Sequence, residues 1–188
     1  MRTVAITQNI TLDGAIEMLD TWFDPQGQGH DDMSDVAKAN LEQSQASDAL
    51  LLGRQTFEDF RSYWPHQTDD TTGVSGELNR IQKYVVSSTM TDPEWENSIV
   101  LAGDPVDEAR ALKESDGLDI VVTGSITLTH ALLAGGVVDE LRLWTYPVVQ
   151  GGGRRLFPDG FSAERLTLRE CRSFRSGIVL TTYAVALG

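Results

Sequence analysis

One cysteine, Cys171, in 188 residues excludes an internal disulfide, so nothing in the chain asks for an oxidising compartment. Positive charge is also scarce: 15 Lys plus Arg stand against 28 Asp plus Glu, a formal net charge of -13. A nucleic-acid footprint needs an excess of basic residues on one face; none is visible, so no nucleic-acid partner is expected. No run is long and apolar enough for a membrane span, and the opening MRTVAITQNITL lacks the h-region of a signal peptide. No membrane partner and a cytoplasmic location are therefore expected. His30, His66 and His130 are scattered, with no H-E-x-x-H spacing and no cysteine partner, so no metal site is expected. G-x-G-x-x-G, the P-loop and the nucleophile elbow are missing too, which takes away the motif support for Rossmann, Walker and serine-hydrolase readings.

What is present is an ordinary globular composition, 40% hydrophobic, with no repeats and no linker. A chain of this length is most economically one domain, 1–188, burying roughly 70% of its unfolded surface. Val4 and Ile6 alternate with polar neighbours in an opening strand. Residues 11–31, with Gly14, Pro25, Gly27 and Gly29, have no clean period and read as a long loop of the kind that serves as a functional lid. Helical spacing resumes at Met33, Val36, Ala37 and Leu41, with Asp32 or Ser34 as cap. Ala49-Leu50-Leu51-Leu52 is a strand buried on both faces. Phe57, Phe60 and Trp64 then fall on one helical stripe, so Gly53 marks a strand-to-helix turn. Residues 65–76 are a polar excursion, Lys83 to Ser88 a strand ending in two hydroxyls, and Ser98 to Leu101 a short strand. Asp104-Pro105 opens a helix. Leu118 to Val122 is a second buried strand, Leu128, Ala131 and Leu132 a helix, and Val137 to Val149 a long strand. Residues 165–173 and 177–186 form a C-terminal hairpin. Alternating helices and strands followed by strands alone predict an α/β sheet with an antiparallel edge.

Gly53 and Gly124 raise the first functional question. A strand-to-helix turn aims free N–H groups and the positive end of a helix dipole at one spot, where an anion is favoured. Arg54 and Thr56 add a charge and a hydroxyl to the first turn; Ser125 can cap the helix at the second. Ligands of open α/β sheets sit beyond the carboxyl ends of the strands, so both turns can converge on one dinucleotide, with Ser87 and Ser88 adding donors. Taken singly, either glycine is equally well explained as closing a tight turn.

LLLGRQTFEDF, VVSST, VVTGSITLTHALL and VDELRLWTYPVVQGGGRRLF, in that order, resemble the dihydrofolate reductase superfamily. The similarity is to the branch of the riboflavin-biosynthesis reductase (RibD C-terminal) domain and its stand-alone relatives. The resemblance runs from Asp13-Gly14 to Leu156-Phe157. It implies a dihydrofolate-reductase-like three-layer fold: a mixed, mostly parallel sheet with an antiparallel C-terminal hairpin and flanking helices. It also implies NADPH bound between the turns at Gly53 and Gly124, and a homodimer. By position, Gly53, Arg54 and Thr56 meet the cofactor phosphates, Ser87 and Ser88 lie beside the adenosine 2′-phosphate, and Thr123, Gly124, Ser125 and Ile126 cover the pyrophosphate. Thr7, Leu12, Asp13 and Gly14 border the nicotinamide and the substrate. One departure stands out: the riboflavin reductases resemble SLDGK here, whereas Ala15 takes the place of that lysine.

Hydride transfer to a C=N or C=O bond needs a proton source. Asp13, Asp31, Asp32 and Asp35 fall where the lid and first helix meet the substrate; Asp13 and Asp32 are the catalytic candidates. Asp13 has a second reading, holding its loop through its side chain. Trp22 and Phe23 either stack on a planar heterocycle or seat the loop on the core. Cys171 falls in a strand and reads as small, buried and inert; Gly151-Gly152-Gly153 reads as a turn near the nicotinamide. The expected function is NADPH-dependent reduction of a small, heterocyclic (pterin- or pyrimidine-like) substrate. The alternatives are the phosphoribosylamino-uracil reductase of riboflavin biosynthesis, which Ala15 weakens, and a non-catalytic NADP-binding relative.

Overall fold

The computed structural model of the protein describes residues 1–19, 22–23, 32–70, 72–163 and 166–185. Its elements, in chain order, are β1 (Val4–Thr11), α1 (Ser34–Ser44), β2 (Ser47–Gly53), α2 (Arg54–Tyr63), α3 (Val74–Arg80), β3 (Gln82–Val86), β4 (Ser98–Leu101), α4 (Pro105–Glu114), β5 (Asp119–Thr123), α5 (Ile126–Ala134), β6 (Glu140–Tyr146), β7 (Leu166–Ser173) and β8 (Val179–Val185). All eight strands share one sheet, in the order β4-β3-β2-β5-β1-β6-β8-β7. The first six in that order are parallel; β8 runs antiparallel to β6, and β7 to β8. This is the mixed, mostly parallel sheet with a C-terminal hairpin that the alternation of elements predicts.

Strand alternation divides the core by face. Ile120 and Val122 pack with Ala109 of α4 and with Leu128 and Leu132 of α5, while their neighbour Val121 joins Phe57, Trp64 and Leu78 on the opposite face. A third cluster, Ala39 of α1 with Trp144, Phe174 and Leu180, extends that opposite face toward the hairpin. Chain order explains the division. The connections from β1 to β2 and from β2 to β3 travel one way along the sheet, those from β4 to β5 and from β5 to β6 the other way. Right-handed crossovers then put α1 and α2 on one side and α4 and α5 on the other. The neighbours β2 and β5 therefore send their helices to opposite faces, which opens a crevice at their carboxyl ends.

Three local features depart from the sequence reading. The excursion 65–76 holds a single 3-10 turn at Trp64–His66 and the start of α3. That helix forms despite Gly76 because Leu78 and the following Ile81 are buried and because Asp70 accepts from the N–H of Ser75 and of Thr72. The strand expected over Val137–Val149 is only Glu140–Tyr146: Gly136 takes φ 62° just after α5 and Pro147, which has no N–H, follows the last paired residue. Cys171 is exposed, since β7 is an edge strand with solvent on its flank. Of the long loop, residues 24–31, including His30 and Asp31, lie outside the described residues.

Lys83 is fully buried in β3. Its Nζ donates to the carbonyls of Leu78 (2.7 Å) and Ile81 (2.9 Å) at the end of α3 and sits 4.6 Å from the Trp95 ring centroid. Burial holds its pKa down to about 8 from the usual 10.5, against a smaller upward pull from Glu96. Between those two values the unfolded chain binds more protons than the folded one, so this residue makes stability rise with pH across that window. A neutral amine still donates to both carbonyls. Urea unfolding from pH 8 to pH 10 is expected to show a stability difference between the parent protein and Lys83→Met that moves in favour of the parent as pH rises; a flat difference would mean that the buried amine titrates normally.

Candidate functional site

The crevice between β2 and β5 is closed by reciprocal hydrogen bonds. The Gly53 N–H donates to Ser125 Oγ (2.9 Å), and the Ser125 N–H donates to Thr56 Oγ1 (2.7 Å). Ser125 is thus no cap for its own helix, as its sequence position suggests; it has no side-chain cap bond there, and its hydroxyl reaches across to α2. Gly124 and Ser125 are both left-handed, φ 57° and 48°, just ahead of the first turn of α5. From β1, Gln8 Nε2 donates to the Gly124 carbonyl (2.6 Å) and holds the turn from below. The two glycines differ in what requires them. A Cβ on Gly124 would lie 2.8 Å from Thr56 Cγ2 and at a strained φ. A Cβ on Gly53 would find only ordinary contacts, at 3.7 Å or longer, with Ser125 and Leu128, at an ordinary φ of -77°; nothing inside the chain demands glycine there.

Beside the crevice a cleft of about 1,090 Å³ opens between α1 and α2. The upper faces of β1, β5 and β6 floor it with Thr7, Asn9, Thr123, Arg142 and Trp144. Gly53, Arg54, Thr56, Gly124, Ser125 and Ile126 also line it, so these cofactor candidates, with Thr123, share one cavity with Thr7, whereas Ser87 and Ser88 do not line it. Phe60, Asp59 and Tyr63 of α2 face Val36, Ala37 and Asn40 of α1 across it. Asn9, Asn40, Asp59 and Arg142 escaped the sequence reading. The spacing of Thr56, Asp59 and Tyr63 was the available signal, because it continues one helical stripe.

The rim of the cleft comes from two loops joined by side chains. Asp13 accepts from Thr11 Oγ1 (2.6 Å), the Gln150 N–H (3.2 Å) and the Gly151 N–H (2.8 Å), and these bonds hold its pKa down to about 2. This is the loop-holding role open to Asp13. Leu12 is exposed, and Gly14 turns at φ 86°. Gln150 Oε1 accepts from Trp22 Nε1 (2.8 Å), and Gln150 Nε2 donates to the Glu17 carbonyl (3.0 Å). Trp22 and Phe23 pack on Tyr146, with ring centroids 5.1 and 6.0 Å away. Phe23 and Tyr146 reach the cleft, and burial pushes the Tyr146 phenol up to about 12. Asp32 is not on the cleft wall: it pairs with Arg175 (2.7 Å), and its hydrogen bonds with Ser34, ahead of that arginine's charge, lower its pKa.

At the outer side of α2, Arg54 pairs with Glu58 (3.0 Å) in a half-exposed i,i+4 bridge. A shallow groove of about 360 Å³ continues past Arg54 to Arg61, Thr89 and Thr91. Ser87 is buried, and its hydroxyl accepts from the N–H groups of Thr89 and Met90, so it shapes the turn that borders the groove. Ser88 is exposed beside it.

Residues 2–180 match the model of the RibD C-terminal domain. The chain belongs to that family. It is 34% identical to the uncharacterized protein YyaP of Bacillus subtilis (strain 168) over 141 residues, 72% of this chain and 73% of that protein. Two solved structures share the fold. A putative riboflavin biosynthesis protein from Shewanella sp. PV-4 superposes with a TM-score of 0.68 at 18% identity, over 98% of this chain and 99% of that one. A pyrimidine reductase-like protein from Corynebacterium diphtheriae gives 0.67 at 18% identity, over 99% and 92%. No helix among the described residues of this RibD C-terminal domain is long and apolar enough to cross a membrane.

Two expectations follow for this RibD C-terminal domain. Gly124→Ala should cost about 1–3 kcal/mol in chemical denaturation, from a left-handed alanine and the clash with Thr56. Adding Thr56→Ser, which deletes the clashing methyl, should restore only part of that loss, and full restoration would mean that φ carries no strain. Asp13→Asn should leave the fold intact yet loosen the rim, read as faster hydrogen exchange at Gly151. Because the folded pKa of Asp13 is depressed, the contribution of its charge is present above the ordinary carboxylate pKa and is lost as pH falls toward 2. Parent and variant should therefore converge in acid; a difference in exchange that persists there would argue against the carboxylate contacts.

Proposed function

We propose that the protein is an NADPH-dependent reductase of a small, planar heterocyclic substrate, with the cofactor seated across the Gly53 and Gly124 turns and the substrate in the cleft between α1 and α2. The observation that carries this reading is Gly53, a glycine that the chain itself does not need, hydrogen-bonded to Ser125 across the crevice and lining one cavity with Gly124, Ser125 and Ile126 at the start of α5. Backbone donors and two aligned helix dipoles suit a pyrophosphate, even in a chain with a net charge of -13. Thr56 and Ser125 accept through their hydroxyl oxygens and keep their own O–H protons for a phosphate. The Arg54–Glu58 pair is exposed enough to contribute only about 0–1 kcal/mol, so Arg54 can turn toward a 2′-phosphate in the groove that Ser88 and Thr89 border.

Bound NADPH supplies the hydride. The chain orients it and fixes the substrate's distance to it, which is where most of the rate comes from when no covalent step is involved. Asp13, ionised down to about pH 2, is a rim-holding residue in this reading, and Asp32 lies away from the cleft; the proton comes from water admitted at the cleft mouth. Reduction of a phosphoribosylamino uracil fits less well, because Ala15, where the riboflavin reductases carry a lysine, is only 2% exposed and offers no cation to a substrate phosphate. The proposal includes a homodimer, a cytoplasmic location, and no nucleic-acid or membrane partner; the acidic balance of the chain supports the exclusion of nucleic acid.

Titration with NADPH and NADH, followed by tryptophan fluorescence, tests the cofactor half of the reading. Charge-assisted bonds to a 2′-phosphate contribute about 1.5–3 kcal/mol each, so NADPH should bind roughly a hundredfold more tightly than NADH. Arg54→Ala should lose at least tenfold in NADPH affinity with NADH affinity and melting temperature little changed. Equal binding of the two cofactors to parent and variant would overturn the assignment. Consumption of NADPH with a panel of aminopyrimidines and pterins then separates a reductase from a protein that only binds.

A further inference from the structure

The hairpin end of the sheet carries its charge on one side. The register of β6, β8 and β7 puts Glu140, Arg142, Glu170 and Arg172 on the face that α1 covers, where Arg172 reaches Glu42 of that helix (2.8 Å). The opposite face presents Leu143 and Thr145 from β6, Thr181 and Tyr183 from β8, and Leu168 and Cys171 from β7; its remaining positions are likewise uncharged. An antiparallel sheet with one face in water alternates apolar with polar residues. Here apolar residues occupy both faces, the pattern of a sheet covered twice. The second cover is incomplete. Leu143 and Tyr183 pack against the core cluster to which Leu156 and α5 belong, but Leu168 stands outside the core clusters and is 53% exposed, and Cys171 on the same face is exposed as well.

We infer that this uncharged face of β7 and β8 is the contact between two copies of the chain, packed face to face about a two-fold axis. The inference rests on the homodimer of the proposed function and names its surface. Charge chooses the occupant. Two copies with a net charge of -13 each repel wherever their charged surfaces meet, and least over a face that has no charge of its own. A charged partner would find nothing there to pair with. A two-fold axis sets Leu168 and Tyr183 of one copy against the same apolar set of the other, so one patch is its own complement. It also takes out of water a cysteine, one of the most often buried residue types. The face makes the contact rather than the strand edge: the ladder of β7 is broken by a bulge between Leu168 and Glu170, and Arg169 and Glu170 are exposed at that point. Bulges and charges of this kind keep an edge strand from adding a further strand.

Sedimentation of the full chain over a range of concentrations, combined with the reactivity of its single thiol toward an aromatic disulfide reagent, tests the assignment. The parent is expected to be a dimer in which Cys171 reacts slowly and becomes reactive on dilution. Leu168→Glu should raise the dimer dissociation constant by roughly a hundredfold or more and leave Cys171 freely reactive, with the circular dichroism of the parent. Cys171→Arg, a second change on the same face, should dissociate the dimer too. Ile99→Glu, on the far edge strand β4 and 48% exposed, should leave the dimer intact. A dimer that survives both Leu168→Glu and Cys171→Arg, or one that Ile99→Glu dissociates, would overturn the surface and leave the homodimer standing. A monomeric parent would remove both. Failure of NADPH to bind would remove the reductase reading without touching this result.

Discussion

The pair of hydrogen bonds from Gly53 to Ser125 and from Ser125 to Thr56 ties together two helices that the sheet topology drives apart. Without it, α2 and α5 would leave neighbouring strands for opposite faces and have no reason to hold their N-termini in register. Ser125 can serve both directions because its left-handed backbone turns its N–H toward Thr56 of α2 while its hydroxyl accepts from Gly53, the last residue of β2. Gly124 must then lack a side chain, since Thr56 occupies that place, and Gln8 must pin the Gly124 carbonyl from beneath. Each of these residues has its conformation set by the next, so the crevice is assembled as a unit from β1, α2 and α5.

Much of the scaffold was legible because its signals are local. The buried runs at Leu50–Leu52 and Ile120–Val122, the glycines that follow them, and the Asp104 cap, which accepts from the N–H groups of Val106 and Asp107, are each decided within a few residues. The helix α3 was not legible: Gly73, Gly76 and the threonines before them read as loop, and the burial of Leu78 and Ile81, together with the Asp70 bonds to the N–H groups of Thr72 and Ser75, overrides that propensity. The role of Ser125 was hidden for a different reason. Serine before a helix reads as a cap, and the group that it actually serves lies 72 residues away at Gly53. The cleft was half legible. Thr7 and the turn residues could be placed by resemblance, but Asp59, Asn40 and Arg142 acquire meaning only when α1 and α2 are set side by side.

A chain with nearly two acidic residues for every basic one, 28 against 15, has few ways to attract an anion. Every arginine on the cleft already has a carboxylate partner. Positive potential at the crevice therefore comes mainly from backbone N–H groups at two helix ends. Such a field is short-ranged, fading within about one helical turn.

Gln150 gives the rim a mechanical property. Its side chain accepts from Trp22 and donates to the carbonyls of Glu17 and Gly152, while its backbone N–H donates to Asp13. The loop after β1 and the glycine loop after β6 are thereby fastened to each other at several points around one residue. Among the described residues, the cleft mouth is thus bordered by two segments more than a hundred residues apart in sequence that share one set of fastenings.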